Sequence, residues 1–71
     1  MTADEKMGAR VRQARADAGV TQADLARLLG VSRSALSMIE TGKRRVTAVE
    51  LGRLAALVDR PVNWFYREAP R

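Results

Sequence analysis

The stretch QADLARLLGVSRSALSMIET, residues 22–41, decides the fold of this chain. Its hydrophobic spacing predicts two short helices, residues 22–29 and 33–41, joined by only three residues. A connection this short cannot turn the second helix back alongside the first, so the helices must cross steeply. Gly30 permits the positive φ that such a turn requires, and Ala26 is small enough for the crossing. The buried side is supplied by Leu25, Leu29, Val31, Leu36 and Ile39.

Further helices are indicated on both sides of this pair. Residues 4–18 repeat apolar positions along one helical face, which consists of Met7, Val11, Ala14 and Ala18. Gly19 is placed to end that helix, and Thr47 with Glu50 forms a capping box that begins a fourth helix over residues 48–58. Pro61 begins a short fifth turn. No segment alternates with a period of two, so the sequence predicts an all-α, compact five-helix domain over residues 1–71, with a frayed tail at 67–71.

The composition excludes several classes of function. The chain contains no cysteine and no histidine, which rules out disulfides, thiolate metal sites and histidine general bases. Its 13 basic and 8 acidic residues give a net charge of +5, which favours a phosphate-bearing or acidic partner, although a basic surface can also serve solubility alone. We expect no enzyme, no cofactor and no metal, because the serines lack a base within motif reach. No apolar run is long enough to span a membrane, and we expect a cytoplasmic protein.

Three runs of sequence resemble the lambda-repressor/Cro-type (Xre-family) helix-turn-helix. They are TQADLA at residues 21–26, LGVSR at residues 29–33 and IETGKR at residues 39–44. The resemblance extends over residues 7–66 and implies a five-helix, lambda-repressor-like fold. It also implies a sequence-specific and usually dimeric repressor or activator. Asp59 stands where that family frequently has a glycine, and Val46 stands where a proline is common.

The predicted DNA contacts lie on the face of the third helix that points away from Leu36 and Ile39. The residues expected to read bases are Arg33, Ser34, Ser37 and Met38. Serine side chains let a helix lie close to the base edges, and Arg33 is at the helix start, where such helices meet those edges. The alternative is that Arg33 is a solvated or phosphate-bound arginine and that the serines are ordinary surface residues.

Phosphate contacts are expected on both sides of this helix. At its C-terminal end and in the following loop they are Thr41, Lys43, Arg44 and Arg45. By resemblance, Gln22 at the start of the second helix contacts a phosphate and braces the reading helix. A solvated run of charges is the alternative interpretation of the loop.

A structural ion pair is predicted between Arg15 and Glu40. Glu40 lies near the C-terminal end of the third helix, where the helix dipole disfavours a bare carboxylate. Arg15 is one position after Ala14 on the first helix and is placed to reach it. The resemblance agrees, since an arginine and a glutamate at the matching positions often pair. The alternative is that both are surface charges.

The end of the chain holds more apolar surface than five short helices easily bury. We predict a homodimer interface from Leu57, Val62, Phe65 and Tyr66, with Trp64 the most inward of the aromatic residues. The alternative is that all of these side chains belong to the core. Such a two-fold dimer places its reading helices ~34 Å apart, one turn of DNA. The predicted function is a transcriptional regulator that binds double-stranded DNA at a pseudo-palindromic operator. The alternatives are a DNA-binding antitoxin or the N-terminal domain of a longer regulator with a separate sensor or peptidase partner.

Overall fold

Threonine and serine side chains determine where the four α-helices begin. The computed structural model describes residues 1–67, which form α1 (Ala3–Asp17), α2 (Gln22–Leu29), α3 (Arg33–Glu40), α4 (Ala48–Leu57) and a 3-10 helix (Val62–Tyr66). Before each α-helix, a side-chain oxygen accepts a hydrogen bond from the backbone N–H three residues later. These cap residues are Thr2, Thr21, Ser32 and Thr47. Because the caps satisfy donors that a helix leaves free, they fix its first turn.

The predicted all-helical architecture is confirmed, with corrections at the ends of the elements. Residues 1–67 contain no strand, and the fifth element is a 3-10 helix where a fifth helix was expected. α1 begins one residue earlier than predicted, because Thr2 and Glu5 form a capping box that the sequence analysis overlooked. Ala18, predicted to extend the buried face of α1, is exposed because it is the C-cap residue. Residues 68–71 of the predicted frayed tail lie outside the described residues.

The turn between α2 and α3 depends on Gly30. Its φ is 81°, a left-handed conformation in which a β-carbon is unfavourable. The backbone N–H groups of Gly30 and Val31 both donate to the Ala26 carbonyl oxygen, at 2.9 and 3.0 Å. Ser32 then caps α3 directly after the turn. Closing α2 and capping α3 within three residues leaves the two helices no freedom to separate. Asp59, where a glycine is frequent in the resembling family, also has a positive φ, 56°.

A single hydrophobic core joins all five elements. Its buried members are Val11, Ala14, Leu25, Ala26, Leu29, Leu36, Ile39, Leu51, Leu54, Ala55, Val58 and Phe65. Met7 and Val31 are half-buried against this core. The residues at helical spacing in the sequence therefore supply most of it, as the apolar periodicity predicts.

The assignment of Phe65 to the dimer interface is wrong, and so is the inward position expected for Trp64. Phe65 is only 2% exposed and belongs to the core, whereas Trp64 is half-buried at its edge. The Trp64 and Phe65 rings meet edge to face, with centroids 5.0 Å apart. A 3-10 helix has three residues per turn, so successive aromatic side chains point in directions about 120° apart and only one of them faces the core.

α1 and α3 approach so closely that one position on α1 must lack a side chain. A β-carbon added to Gly8 would lie 2.7 Å from the Glu40 carbonyl oxygen and would also collide with the Ile39 carbonyl oxygen. These oxygens belong to backbone at the end of α3 and cannot rotate away as a side-chain tip would. Gly8 therefore sets the distance between α1 and α3.

Gly8→Ala should destabilise the fold by about 1–3 kcal/mol, the usual range for overpacking a close-packed interior. Gly52→Ala is the matched control, because Gly52 is also within an α-helix but has open space around its Cα. In that variant only helix propensity changes, so stability should rise by about 0.5–1 kcal/mol. Urea unfolding measures both values. A Gly8→Ala variant as stable as Gly52→Ala would contradict the close approach.

Candidate nucleic-acid interface

The outward face of α3 combines one long basic side chain with short polar ones. Arg33 and Ser34 are exposed, Ser37 is half-buried and Met38 is 42% exposed. The structure therefore places all four predicted base-reading residues on the surface of one helix. Because the longest of them is at the N-terminal end, the middle of α3 presents a shallow surface that a groove-shaped partner can approach closely.

A chain of hydrogen bonds holds this helix from behind. Arg15 Nε donates to Glu40 Oε2 at 2.7 Å, and Arg15 Nη2 donates to Glu40 Oε1 at 3.2 Å. Gln22 Nε2 donates to Glu40 Oε1 at 3.3 Å, and the Gln22 amide oxygen accepts from Arg33 Nε at 3.4 Å. The chain thus runs from α1 to the end of α3, then to the start of α2, and back to the start of α3.

Burial makes the Arg15–Glu40 pair different from the surface pairs. The Glu40 side chain is 4% exposed and that of Arg15 is 17% exposed. Arg15 also donates to the Val20 carbonyl oxygen at 3.1 Å, so its guanidinium is also bound to the connection between α1 and α2. A carboxylate this buried requires both a cation and further donors, and Arg15 and Gln22 provide them. The structure thereby brings together two charges that the sequence analysis placed on different helices.

Thr41 and Gln22 are both near the outward face, but their side chains are already engaged. The exposed Thr41 hydroxyl donates to the carbonyl oxygen of Ser37 at 3.0 Å. That arrangement leaves Thr41 no proton to donate to a phosphate. Gln22 is half-buried, and each end of its amide is hydrogen-bonded within the chain. Its Nε2 group carries a second hydrogen, which leaves one donor for an outside acceptor.

The three cations of the loop after α3 have unequal surroundings. Lys43 is exposed, and the Arg45 side chain is 85% exposed with its Nε 3.8 Å from an Asp4 oxygen. Arg44 instead contacts Glu50 of α4 through two nitrogens, at 3.0 and 3.4 Å. The loop therefore presents two exposed cations, Lys43 and Arg45, while Arg44 faces the protein.

Three of the four residues predicted to form a dimer interface are exposed. Leu57 is 39%, Val62 is 42% and Tyr66 is 67% exposed. They lie at the end of α4 and on the 3-10 helix, on elements that contact each other. Phe65 is excluded from this surface by its place in the core.

An aromatic clamp that no sequence pattern predicted fixes the 3-10 helix to α1. The Trp64 ring lies between two guanidinium groups, 4.8 Å from that of Arg10 and 4.2 Å from that of Arg60. Arg60 also contacts Asp17 at 2.8 Å, and Arg10 donates to the Arg67 carbonyl oxygen at 2.8 Å. Arg60 is four residues before Trp64, but Arg10 and Asp17 are far from both in sequence and meet them only after folding, so no spacing rule signals the complete clamp.

Comparison with known proteins assigns this chain to a protein family. A family model described as a helix-turn-helix domain matches residues 6–63. The chain belongs to the helix-turn-helix family. The resemblance inferred from the sequence is thereby confirmed. The matched residues include α2, the turn at Gly30 and α3, two helices joined by a short turn.

Three similar proteins illustrate this relationship. The first is an uncharacterised HTH-type transcriptional regulator of Sinorhizobium medicae, 31% identical over 94% of this chain and 48% of its own length. The regulator of clp genes ClgR from Corynebacterium glutamicum shares the fold with a TM-score of 0.89 and 32% identity, over 93% of this chain and 70% of that one. SinR, a master regulator for biofilm formation whose structure was solved in complex with DNA, has a TM-score of 0.78 and 29% identity over 86% of this chain and 98% of that one. The helix-turn-helix chain thus spans about half the length of its Sinorhizobium relative.

Among residues 1–67, none of the helices is both long and apolar enough to cross a membrane. The acidic side chains of these residues form no group of three or more that is arranged to hold a metal ion.

Removing one partner of the Arg15–Glu40 pair should destabilise the fold by about 3–5 kcal/mol, because the other charge stays buried without compensation. Arg15→Met combined with Glu40→Gln should cost less than the sum of the two single changes. The matched control is the exposed pair of Asp24 and Arg27 on α2, 3.4 Å apart. The double-mutant cycle for Asp24 and Arg27 should give a coupling free energy below about 1 kcal/mol. Urea unfolding of both cycles tests this, and additivity at Arg15 and Glu40 would contradict it.

Proposed function

We propose that this chain is a transcriptional regulator that binds double-stranded DNA sequence-specifically, with α3 in the major groove. It acts in the cytoplasm as a homodimer on a pseudo-palindromic operator. The observation that carries this proposal is the exposed face of α3. The hydrogen bonds that link Arg15, Glu40, Gln22 and Arg33 hold this helix on the protein side, and the basic loop, residues 43–45, follows it. Selection of bound duplexes from a random library tests it, and recovery of no shared half-site would contradict it.

Arg33 is the main candidate for base recognition. Its Nε donates to the Gln22 amide oxygen, while its terminal nitrogens make no hydrogen bond with residues 1–67. A guanidinium held in this way offers two parallel donors, which match the O6 and N7 acceptors of guanine. Ser34 and Ser37 are short enough to let α3 lie deep in the groove, and Met38 offers an apolar contact of the kind that a thymine methyl group takes.

The basic loop and the start of α2 are proposed to hold the phosphates. Lys43 and Arg45 are exposed cations beside the C-terminal end of α3. Gln22 lies in the first turn of α2, where backbone N–H groups and the helix dipole favour an anion. Contacts on both sides of the reading helix would fix its register on the DNA, because phosphates are spaced regularly along the backbone.

The exposed apolar residues Leu57, Val62 and Tyr66 are proposed to form the dimer interface. A two-fold interface uses the same patch on both subunits, so one apolar patch is sufficient. These residues lie on α4 and the 3-10 helix, in the C-terminal part of the described residues. A two-fold axis there gives the two α3 helices a fixed separation, as recognition of two half-sites on one face of the duplex requires.

Arg33→Ala should relax one position of the DNA site by about 1–3 kcal/mol, since a bidentate contact to guanine is lost there. Lys43→Ala should weaken binding to all duplexes alike, because a phosphate contact carries no sequence information. Fluorescence anisotropy with the selected duplex and its single-base variants measures both effects. Uniform weakening by Arg33→Ala would show that Arg33 contacts phosphate.

Leu57→Glu should shift the protein from dimer to monomer, because burying an unpaired carboxylate in an apolar interface is unfavourable. Val49→Glu is the control, since Val49 is 73% exposed on α4 but lies at the opposite end of that helix. It should leave the association unchanged. Sedimentation equilibrium distinguishes the two states. The dimer is refuted if the unmodified chain remains monomeric at the highest protein concentration.

A further inference from the structure

The central cation of the basic loop is held by a carboxylate of the same chain. Arg44 Nη2 donates to Glu50 Oε2 at 3.0 Å, and Arg44 Nη1 donates to Glu50 Oε1 at 3.4 Å. The side chains are 34% and 17% exposed, so much of this pair is removed from water. Two parallel contacts of this kind are stronger and more directional than a single surface contact. They use the edge of the guanidinium that would otherwise bind a phosphate.

Glu50 is itself fixed from the other side. It is the third residue of α4, and its Oε1 accepts a hydrogen bond from the Thr47 backbone N–H at 3.0 Å. The Glu50 N–H donates in return to Thr47 Oγ1 at 3.1 Å. The Thr47 N–H hydrogen bond, followed by that from Arg44, holds the pKa of Glu50 below its usual value. Glu50 is therefore ionised at neutral pH, and it cannot follow Arg44 outward without giving up the cap of α4.

We propose that Glu50 withholds Arg44 from DNA phosphate, so that the loop contacts the backbone through Lys43 and Arg45 alone. This inference rests on the proposed DNA binding and adds a residue that limits it. Arg44 is then a positioning residue that fixes the loop between α3 and α4, and not the phosphate contact that the sequence analysis expected. Glu50 thereby lowers affinity for every duplex equally.

The exchange of carboxylate for phosphate is unfavourable for two reasons. The Arg44–Glu50 pair is already formed in the folded protein, so it loses no further side-chain entropy, whereas ordering Arg44 on a phosphate would. A phosphate that took Arg44 would also leave the ionised Glu50 beside it, and two like charges repel at that distance. The phosphate therefore meets a site whose cation is already neutralised. Lys43 is exposed, and Arg45 has only a long contact with Asp4, 3.8 Å on the surface, to give up.

The salt dependence of DNA binding measures how many cations contact phosphate. Glu50→Gln retains the capping box, because glutamine also serves at this position, but it releases Arg44. The slope of log affinity against log salt should steepen by about 0.9 per bound subunit, and affinity for random duplexes should rise roughly eightfold per bound subunit at ~0.1 M salt. The measurement uses fluorescence anisotropy of the full chain with a duplex of random sequence. An unchanged slope would overturn the proposal.

Glu5→Gln is the matched control for that change. Glu5 occupies the same position in the capping box of α1, so the substitution removes one negative charge and keeps the cap. Glu5 forms no ion pair with residues 1–67, so no cation is released and the slope should remain that of the unmodified chain. If Glu5→Gln steepens the slope as much as Glu50→Gln does, the effect is one of net charge and the proposal is wrong.

A charge-neutral double variant gives an independent test. Arg44→Gln with Glu50→Gln removes one charge of each sign, and its slope should match that of the unmodified chain. Lys43→Gln should instead make the slope shallower by about 0.9 per subunit. A double variant that loses as much slope as Lys43→Gln would show that Arg44 contacts phosphate. If the unmodified chain binds no duplex at all, both the proposed DNA binding and the proposed role of Glu50 are wrong. If the chain binds duplexes in a salt-dependent way but the variants do not show the expected slopes, only the role of Glu50 is wrong.

Discussion

Burying the Glu40 carboxylate is costly unless a cation and further donors surround it, and three elements of this fold are arranged to meet that requirement. Arg15 of α1 and Gln22 of α2 both donate to it, while α3 carries it. The close approach at Gly8 brings α1 against the end of α3, within reach of this carboxylate. The relative positions of α1, α2 and α3 thus depend on one charged group. Moving α1 away from α3 would leave that carboxylate without its cation, and moving α2 would remove the Gln22 hydrogen bond.

The same network connects the fold to the proposed recognition of DNA. Gln22 hydrogen-bonds Glu40 through one end of its amide and Arg33 through the other. The side chain proposed to read a base is therefore positioned by a group that is itself held by the buried ion pair. Preorganisation of this kind reduces the entropy lost on binding, because Arg33 is partly ordered before DNA arrives. Stability and recognition share these residues, so changes at Glu40 should affect both.

Four of the thirteen basic residues of this chain make contacts within the protein that restrict their availability to a partner. Arg15 is paired with Glu40, and Arg44 is paired with Glu50. The guanidinium groups of Arg10 and Arg60 lie against the Trp64 ring. The net charge of +5 therefore does not indicate how many cations face a partner. Exposed residues such as Lys43 and Arg45 are a better guide, since phosphate contacts require a cation with free donors.

The sequence by itself determined the helices, the turn between α2 and α3, and the family. Those signals are local: Thr47 caps a helix through a residue three positions away, and Gly30 permits its own backbone angle. The sequence also placed Arg33 and the serines on one face, because helical period alone decides that. Only the tertiary structure decided that Phe65 is inside and Trp64 is clamped at the edge, and that Arg44 is paired with Glu50 while Lys43 has no ion-pair partner among residues 1–67. These outcomes depend on which side chains meet when the helices pack, and hydrophobic periodicity and capping patterns do not encode that choice.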